Sequence, residues 1–215
     1  MDYASSEHAS GRVSDDVPGR AADHTAGPAD TAPLAVKILV AGGFGVGKTT
    51  LVGAVSEVAP LHTEEYLTRA GVGVDDLEGV HSKVTTTVAL DFGRITISDD
   101  LVVYLFGTPG QERFWFMWND LVNGAVGAVV LVDTRRLEVS FASIDFFESR
   151  GIPFVVGVNC FHGVRDRTAE EVRAALALDP QVPLVLCDAR DRADGRDVLL
   201  ALVDHLMAGR SVTSV

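Results

Sequence analysis

From residue 35 onward, short apolar runs alternate with stretches of helical spacing. AVKILVAG (Ala35 to Gly42) is β-branched and ends on glycines, while KTTLVGAVSEV (Lys48 to Val58) sets Leu51, Val52, Val55 and Val58 at helical intervals. That pattern predicts a strand, a glycine loop and a helix. TVALDFGRITIS (Thr87 to Ser98) and LVVYLF (Leu101 to Phe106) flank Asp99 and Asp100, as two strands of a hairpin would. Further strands are expected at Val126 to Asp133, Pro153 to Asn159 and Pro183 to Asp188, with helices over Leu137 to Ser149, Thr168 to Leu176 and Asp197 to Met207. Nearly continuous Val/Ile/Leu strands separated by helices imply a sheet covered on both faces. The expected fold is therefore α/β, a three-layer αβα sandwich around a six-stranded, mostly parallel sheet with one antiparallel strand. Residues 59–86 carry no convincing strand, and a short helix is expected across TEEYLTRAG (Thr63 to Gly71).

Composition divides the chain in two. Residues 1–33 are poor in large apolar groups and rich in Ala, Asp, Ser, Gly and Pro, so a disordered tail is expected ahead of one globular domain over 34–210. Net charge is −12, the wrong sign for gripping a phosphate backbone, so nucleic acid is not an expected partner. No run approaches the roughly 20 apolar residues needed to span a bilayer. The start lacks a secretory or myristoylation signal and the end lacks a prenylation cysteine, so the expected location is cytoplasmic, with membrane recruitment only through a partner. Cys160 and Cys187 have neither metal-ligand spacing nor a secreted context and are expected as buried, reduced thiols at strand ends.

GGFGVGKT fits the phosphate-loop (Walker A) pattern through Gly42, Gly47, Lys48 and Thr49, between a predicted strand and a predicted helix. Gly42, Gly45 and Gly47 let the backbone wrap closely, so that its N–H groups face phosphate oxygens at a helix N-terminus. Lys48 is expected to reach the terminal phosphates, Thr49 to place its hydroxyl on Mg²⁺, and Thr50 to add an N–H to the cradle.

Downstream, GTPGQERF (Gly107 to Phe114) is similar to the second switch of Rab-like small GTPases, and TVALDF (Thr87 to Phe92) resembles their first switch entering its strand. The chain most resembles the bacterial conservon-type members of the Ras-like superfamily, and more distantly the MglA-type gliding-motility GTPases, over residues 35–208. The resemblance implies a GTP/GDP switch with slow, partner-assisted hydrolysis in bacterial signalling. It gives Thr87 the role of binding Mg²⁺ and sensing the γ-phosphate, with Thr85 and Thr86 as neighbouring alternatives. It gives Gly110 a γ-phosphate N–H, and Gln111 the orienting of the attacking water, so that Lys48, Thr87 and Gln111 form the expected catalytic set. Asn159, Cys160 and His162 of VNCFHG, with Ala189 of CDAR, fall where such proteins read guanine. Implied partners are a roadblock-type regulator, a sensor-kinase-like membrane protein and a small accessory protein.

Three departures change the expectation. Gly107 stands where most relatives place an aspartate that holds Mg²⁺ through water, which predicts a slacker metal anchor. Phe44 stands where a small residue is usual and is expected to crowd Gln111. Cys160 replaces a lysine and His162 an aspartate, and a neutral imidazole can accept only one hydrogen bond where the carboxylate accepts two. An ATP-binding protein, or a degenerate nucleotide-binding scaffold without significant hydrolysis, therefore stands as the alternative. After the second switch, RFWFMWNDLVNG is expected to be helical, with Phe114, Met117, Trp118, Leu121 and Val122 facing the core. Phe116 projects away from that face with Trp115 at its edge, making the two candidate partner contacts. Asp133, ending a strand, is expected to cap the following turn.

Overall fold

A computed structural model describes residues 32–59, 61–68 and 85–212, excluding the side chains of 61–68, 85–89, 112 and 210–212. Apart from its last two residues, the expected N-terminal tail lies outside the described residues. Strands are β1 (Leu34–Ala41), β2 (Leu61–Thr68), β3 (Thr85–Ser98), β4 (Leu101–Gly107), β5 (Ala125–Val132), β6 (Phe154–Asn159) and β7 (Leu184–Cys187). Helices are α1 (Lys48–Val55), α2 (Trp118–Leu121), α3 (Phe141–Ser149), α4 (Ala169–Ala175) and α5 (Arg192–Val212). Shorter 3-10 turns precede α2 at Glu112–Met117 and α3 at Leu137–Ser140.

The sheet runs β2-β3-β4-β1-β5-β6-β7. β3 is antiparallel to both its neighbours, and the pairs from β4 to β7 are parallel. This is the expected P-loop α/β fold with all six expected strands present, joined by β2 at the edge. β2 corrects the helix expected from Thr63: Thr63 to Thr68 pair in register with Leu90 to Thr85. The alternation in LHTEEYLT is weak and its Glu pair favours a helix, so only β3's unpaired edge explains an extended conformation there. The rest of that expected helix lies outside the described residues.

Alternate residues of each central strand enter different cores, which makes three layers. Leu39, Ala41, Val130, Val132, Val156 and Val158 meet Trp118, Ile144, Phe147 and Val172 on one face. On the other, Ile38, Val40, Val129, Leu131 and Val155 meet Leu51, Val52 and Val55 of α1, and Val198 and Leu202 of α5. With both faces buried, period-2 polarity vanishes from β5 and β6, as their apolar sequences foretold. The order in which successive strands are added reverses at β1, so the crevice beyond its C-terminal end is where such folds hold ligands. No helix among the described residues is long and apolar enough to cross a membrane.

Phe147 is fully buried and rings of Trp118, Phe146 and Phe154 surround it at 5.2–6.2 Å between centroids. Truncating Phe147 to Ala is expected to cost about 3–5 kcal/mol of stability. Urea unfolding should show this as a lower midpoint at unchanged slope; a loss below about 1 kcal/mol would mean that this layer repacks freely.

Candidate functional site

The glycine loop leaves β1 at Ala41 and enters α1 at Lys48. Gly42, Gly45 and Gly47 all have positive φ (131°, 77° and 107°), a backbone shape that a side chain would strain. Space is equally restrictive: a Cβ on Gly42 would lie 2.4 Å from the Leu131 carbonyl oxygen, and one on Gly47 would lie 2.6 Å from Asn159 Nδ2. The loop opens onto a cleft of about 400 Å³, lined by Phe44, Gly45 and Gly47 to Thr50 from the loop and α1, Asp91 from β3, and Thr108 to Gln111, Arg113 and Phe114 after β4. Seven expected site residues therefore share one cleft: Gly45, Gly47, Lys48, Thr49, Thr50, Gly110 and Gln111.

Lys48 is buried and donates to the carbonyls of Gly42 (2.9 Å) and Gly43 (2.8 Å). Burial disfavours its ammonium and lowers its pKa to about 8, against a partial opposing pull from the Asp91 carboxylate. Gly110 packs directly on it: a Cβ there would stand 2.6 Å from Lys48 Nζ and 2.8 Å from the Gly43 carbonyl oxygen. Trp118 holds this approach by donating its indole N–H to Pro109 O at 3.1 Å, with its ring wedged against Phe146 and Phe147. The Thr108 hydroxyl, in the same cleft wall, is buried without a hydrogen-bond partner. A buried orphan hydroxyl is costly.

Gly107 does not leave the carboxylate deficit expected from sequence. Phe92 pairs with Phe106, so the next register position sets Asp91 opposite Gly107. A Cβ on Gly107 would lie 2.8 Å from both Asp91 Cβ and Oδ2, so the Asp91 carboxylate fills the space that a side chain at 107 would take. Thr49 Oγ1 donates to that Oδ2 at 2.7 Å. Asp91 lies within TVALDF, where neither periodicity nor motif singles it out. Its signal was an acid in an otherwise apolar strand facing a glycine across the hairpin.

The residues expected to read the base form an adjoining cluster. Asn159 is buried, donating from Nδ2 to Val46 O (2.9 Å) and accepting the Ala189 N–H at Oδ1 (3.0 Å). Cys160 is buried, with its Sγ on Val158 O at 3.6 Å, and Cys187 is buried and unbridged, as expected of both. Burial pushes the Cys187 thiol up to about 12. His162 has a left-handed backbone (φ 60°) and an exposed ring whose Nδ1 lies 3.0 Å from Arg190 Nη1. Arg190 also grips Asp188 through two nitrogens at 2.6 and 2.9 Å, holding that carboxyl well below the usual carboxylate range.

Other expected residues separate by position. Thr87 lies in β3 opposite Tyr66, and its side chain is outside the described residues. The Phe44 ring, expected against Gln111, shares the cleft wall with it but is 65% exposed. RFWFMW winds as a 3-10 turn before the single α-turn of α2. Phe116 is 60% exposed as expected, whereas Trp115 packs partly against the core beside Trp118. Asp133 is buried and accepts the Arg135 N–H at 3.0 Å, the expected cap.

Known proteins bear on this arrangement. The profile of the family described as conserved hypothetical ATP binding proteins matches residues 40–209. An uncharacterised protein of Methanocaldococcus jannaschii is 34% identical over 126 residues, 58% of this chain and 69% of that protein. The G domain of the T. maritima FeoB iron transporter superposes with a TM-score of 0.55 at 15% identity, covering 80% of this chain and 99% of that one. A FeoB G domain from Methanococcus jannaschii does so at 0.52 and 14%, covering 80% and 98%. At such identities the two structures speak for the fold.

Lys48 supplies a test of the cradle. Its lowered pKa means that the unfolded chain keeps the proton to higher pH, so burial costs stability below about pH 8, and that cost fades towards 10.5. Phosphate oxygens would raise the pKa again. Binding of a nucleoside diphosphate at pH 8 is therefore expected to take up protons, and affinity should fall by up to about tenfold per pH unit above 8. Calorimetry in two buffers of different ionisation heat measures the uptake, and its absence would remove Lys48 from the phosphate site.

Proposed function

We propose that this chain, which belongs to the family of conserved hypothetical ATP binding proteins, is a P-loop nucleotide switch of the small-GTPase kind that hydrolyses its nucleotide slowly. The observation that carries the reading is the convergence of Lys48, Thr49, Asp91 and Thr108 on one cleft at the C-terminal end of β1. Lysine charge, loop N–H groups and α1's N-terminus suit an anionic phosphate chain. Gln111 lines the same cleft, where it would orient a water, and Gly110, packed on Lys48, would offer its backbone N–H to a terminal phosphate. Slow turnover, partner assistance and a bacterial signalling role of the conservon type rest on the resemblance in GTPGQERFWFMW, with exposed Phe116 as the partner contact.

Mg²⁺ fits the donors present. It takes one or two protein oxygens and keeps several waters, and Thr49 with Asp91 offers a hydroxyl and a carboxylate already in contact. When bound, the ion would neutralise charge on the phosphates. Asp91 thus supplies from β3 the carboxylate that relatives carry at the position of Gly107.

The nucleotide base has two readings. Resemblance favours guanine. One contact favours adenine: arginine only donates, so Arg190 obliges His162 Nδ1 to accept and leaves Nε2–H as a donor. A donor cannot replace the acceptor that guanine's N–H groups require, and the family's description as ATP binding agrees.

Two measurements test these readings. Calorimetric titration with GDP and ADP, each with excess Mg²⁺, separates them: a tenfold preference for GDP, about 1.4 kcal/mol, establishes the guanine reading, the reverse preference establishes the adenine reading, and no binding of either ends the nucleotide reading. For the metal, Asp91→Ala is expected to weaken Mg²⁺-dependent nucleotide retention by about 10–100-fold. Gly107→Asp alone should also fail, because its side chain would strike Asp91, whereas Asp91→Gly with Gly107→Asp should recover retention. An Asp91→Ala protein with wild-type Mg²⁺ dependence would overturn the assignment.

A further inference from the structure

The segment after β5 wraps the outer side of the glycine loop. Val139 packs on Gly43 so closely that a Cβ there would lie 2.6 Å from Val139 Cγ2. Arg136 reaches the next peptide along, donating from Nη2 to Phe44 O at 3.1 Å, and the same nitrogen lies 3.6 Å from Oδ2 of Asp133. Asp133 is completely buried and is further held by Arg135 through its backbone N–H, Nε and Nη2 at 2.8–3.0 Å. A fixed buried anion therefore restrains the guanidinium that grips the loop.

The grip has a directional consequence. The described peptide bonds are all trans, so the carbonyl of Phe44 and the N–H of Gly45, which share one plane, point in opposite directions. Phe44 and Gly45 line the cleft, whereas Arg136 is not among its lining residues. With the Phe44 carbonyl turned towards Arg136, the Gly45 N–H points away from that side chain. Nothing intrinsic to the loop fixes that choice: Gly45 has φ 77° and no side chain, and glycine tolerates either orientation of the neighbouring peptide plane.

We propose that Arg136 is a positioning residue that locks the Phe44–Gly45 peptide with its N–H aimed at the phosphate chain of the nucleotide. The inference rests on the nucleotide reading above. One guanidinium nitrogen carries two N–H donors, so Nη2 alone can donate to the Phe44 carbonyl while it lies 3.6 Å from the Asp133 carboxylate. Without Arg136, a flipped peptide would present a carbonyl oxygen to an anionic ligand.

The test compares wild type, Arg136→Ala and Arg136→Lys in affinity for a nucleoside diphosphate and the corresponding monophosphate, with the Gly45 amide resonance followed by NMR. Arg136→Ala is expected to bind the diphosphate at least tenfold more weakly and the monophosphate nearly as well. It should keep its unfolding midpoint and lose the ligand-induced shift of the Gly45 amide. Arg136→Lys, with a single donor able to reach the carbonyl, should recover most of the affinity. If wild type binds the diphosphate and Arg136→Ala binds it equally with the Gly45 shift intact, the positioning role is overturned while the nucleotide reading stands. If wild type binds neither nucleotide, both fall.

Discussion

One buried amide ties the functional end of this molecule together. Asn159, the last residue of β6, joins the glycine loop through Val46 O and the loop after β7 through the Ala189 N–H. Three connections that are far apart in sequence thereby share a single side chain with both of its polar ends used. Leaving such groups unpaired in the interior costs about 1–3 kcal/mol each, so the three loops hold their mutual positions or lose stability together. Gly47 must lack a side chain for the same reason, since the Asn159 amide occupies the space where one would stand. The glycine loop and the loop after β7 are consequently one rigid unit.

Onto that unit the loop after β4 is fastened from the opposite face of the sheet. Trp118 belongs to the aromatic layer with Phe146, Phe147 and Phe154, yet its indole N–H bonds Pro109, and Pro109 precedes the glycine that rests on Lys48. Core packing therefore fixes how closely Gly110 approaches Lys48 and the glycine loop. The exposed Phe116 rides on the same turn, so a protein touching it would also touch an element tied to the cleft.

The acid at the site illustrates a general constraint on charge placement. What a cation requires is a carboxylate at a point in space, and a hairpin offers two ways to reach that point, one from each strand. Because Phe92 faces Phe106, residues 91 and 107 compete for one volume, and only one of them can carry a side chain there. A glycine on one strand and an aspartate on the other are complementary halves of a single arrangement.

Much of this was legible in the chain itself. Periodicity and β-branched runs marked six of the seven described strands and most of their helices, because burial on both faces writes itself into local sequence. The glycine loop was legible because close backbone approach to an anion admits few residue types, and Phe116 was legible because its position breaks the helical face. The tertiary structure alone decided the rest. The edge strand over Leu61–Thr68 exists because β3 offers hydrogen bonds that no local pattern in LHTEEYLT announces. The roles of Asp91 and Arg136 are set by cross-strand register and by a contact 92 residues distant. Sequence by itself determined which segments must be buried and where backbone must stay bare; only folding determined which charged groups meet there, because electrostatic partners are chosen by distance in space and leave no periodic trace along the chain.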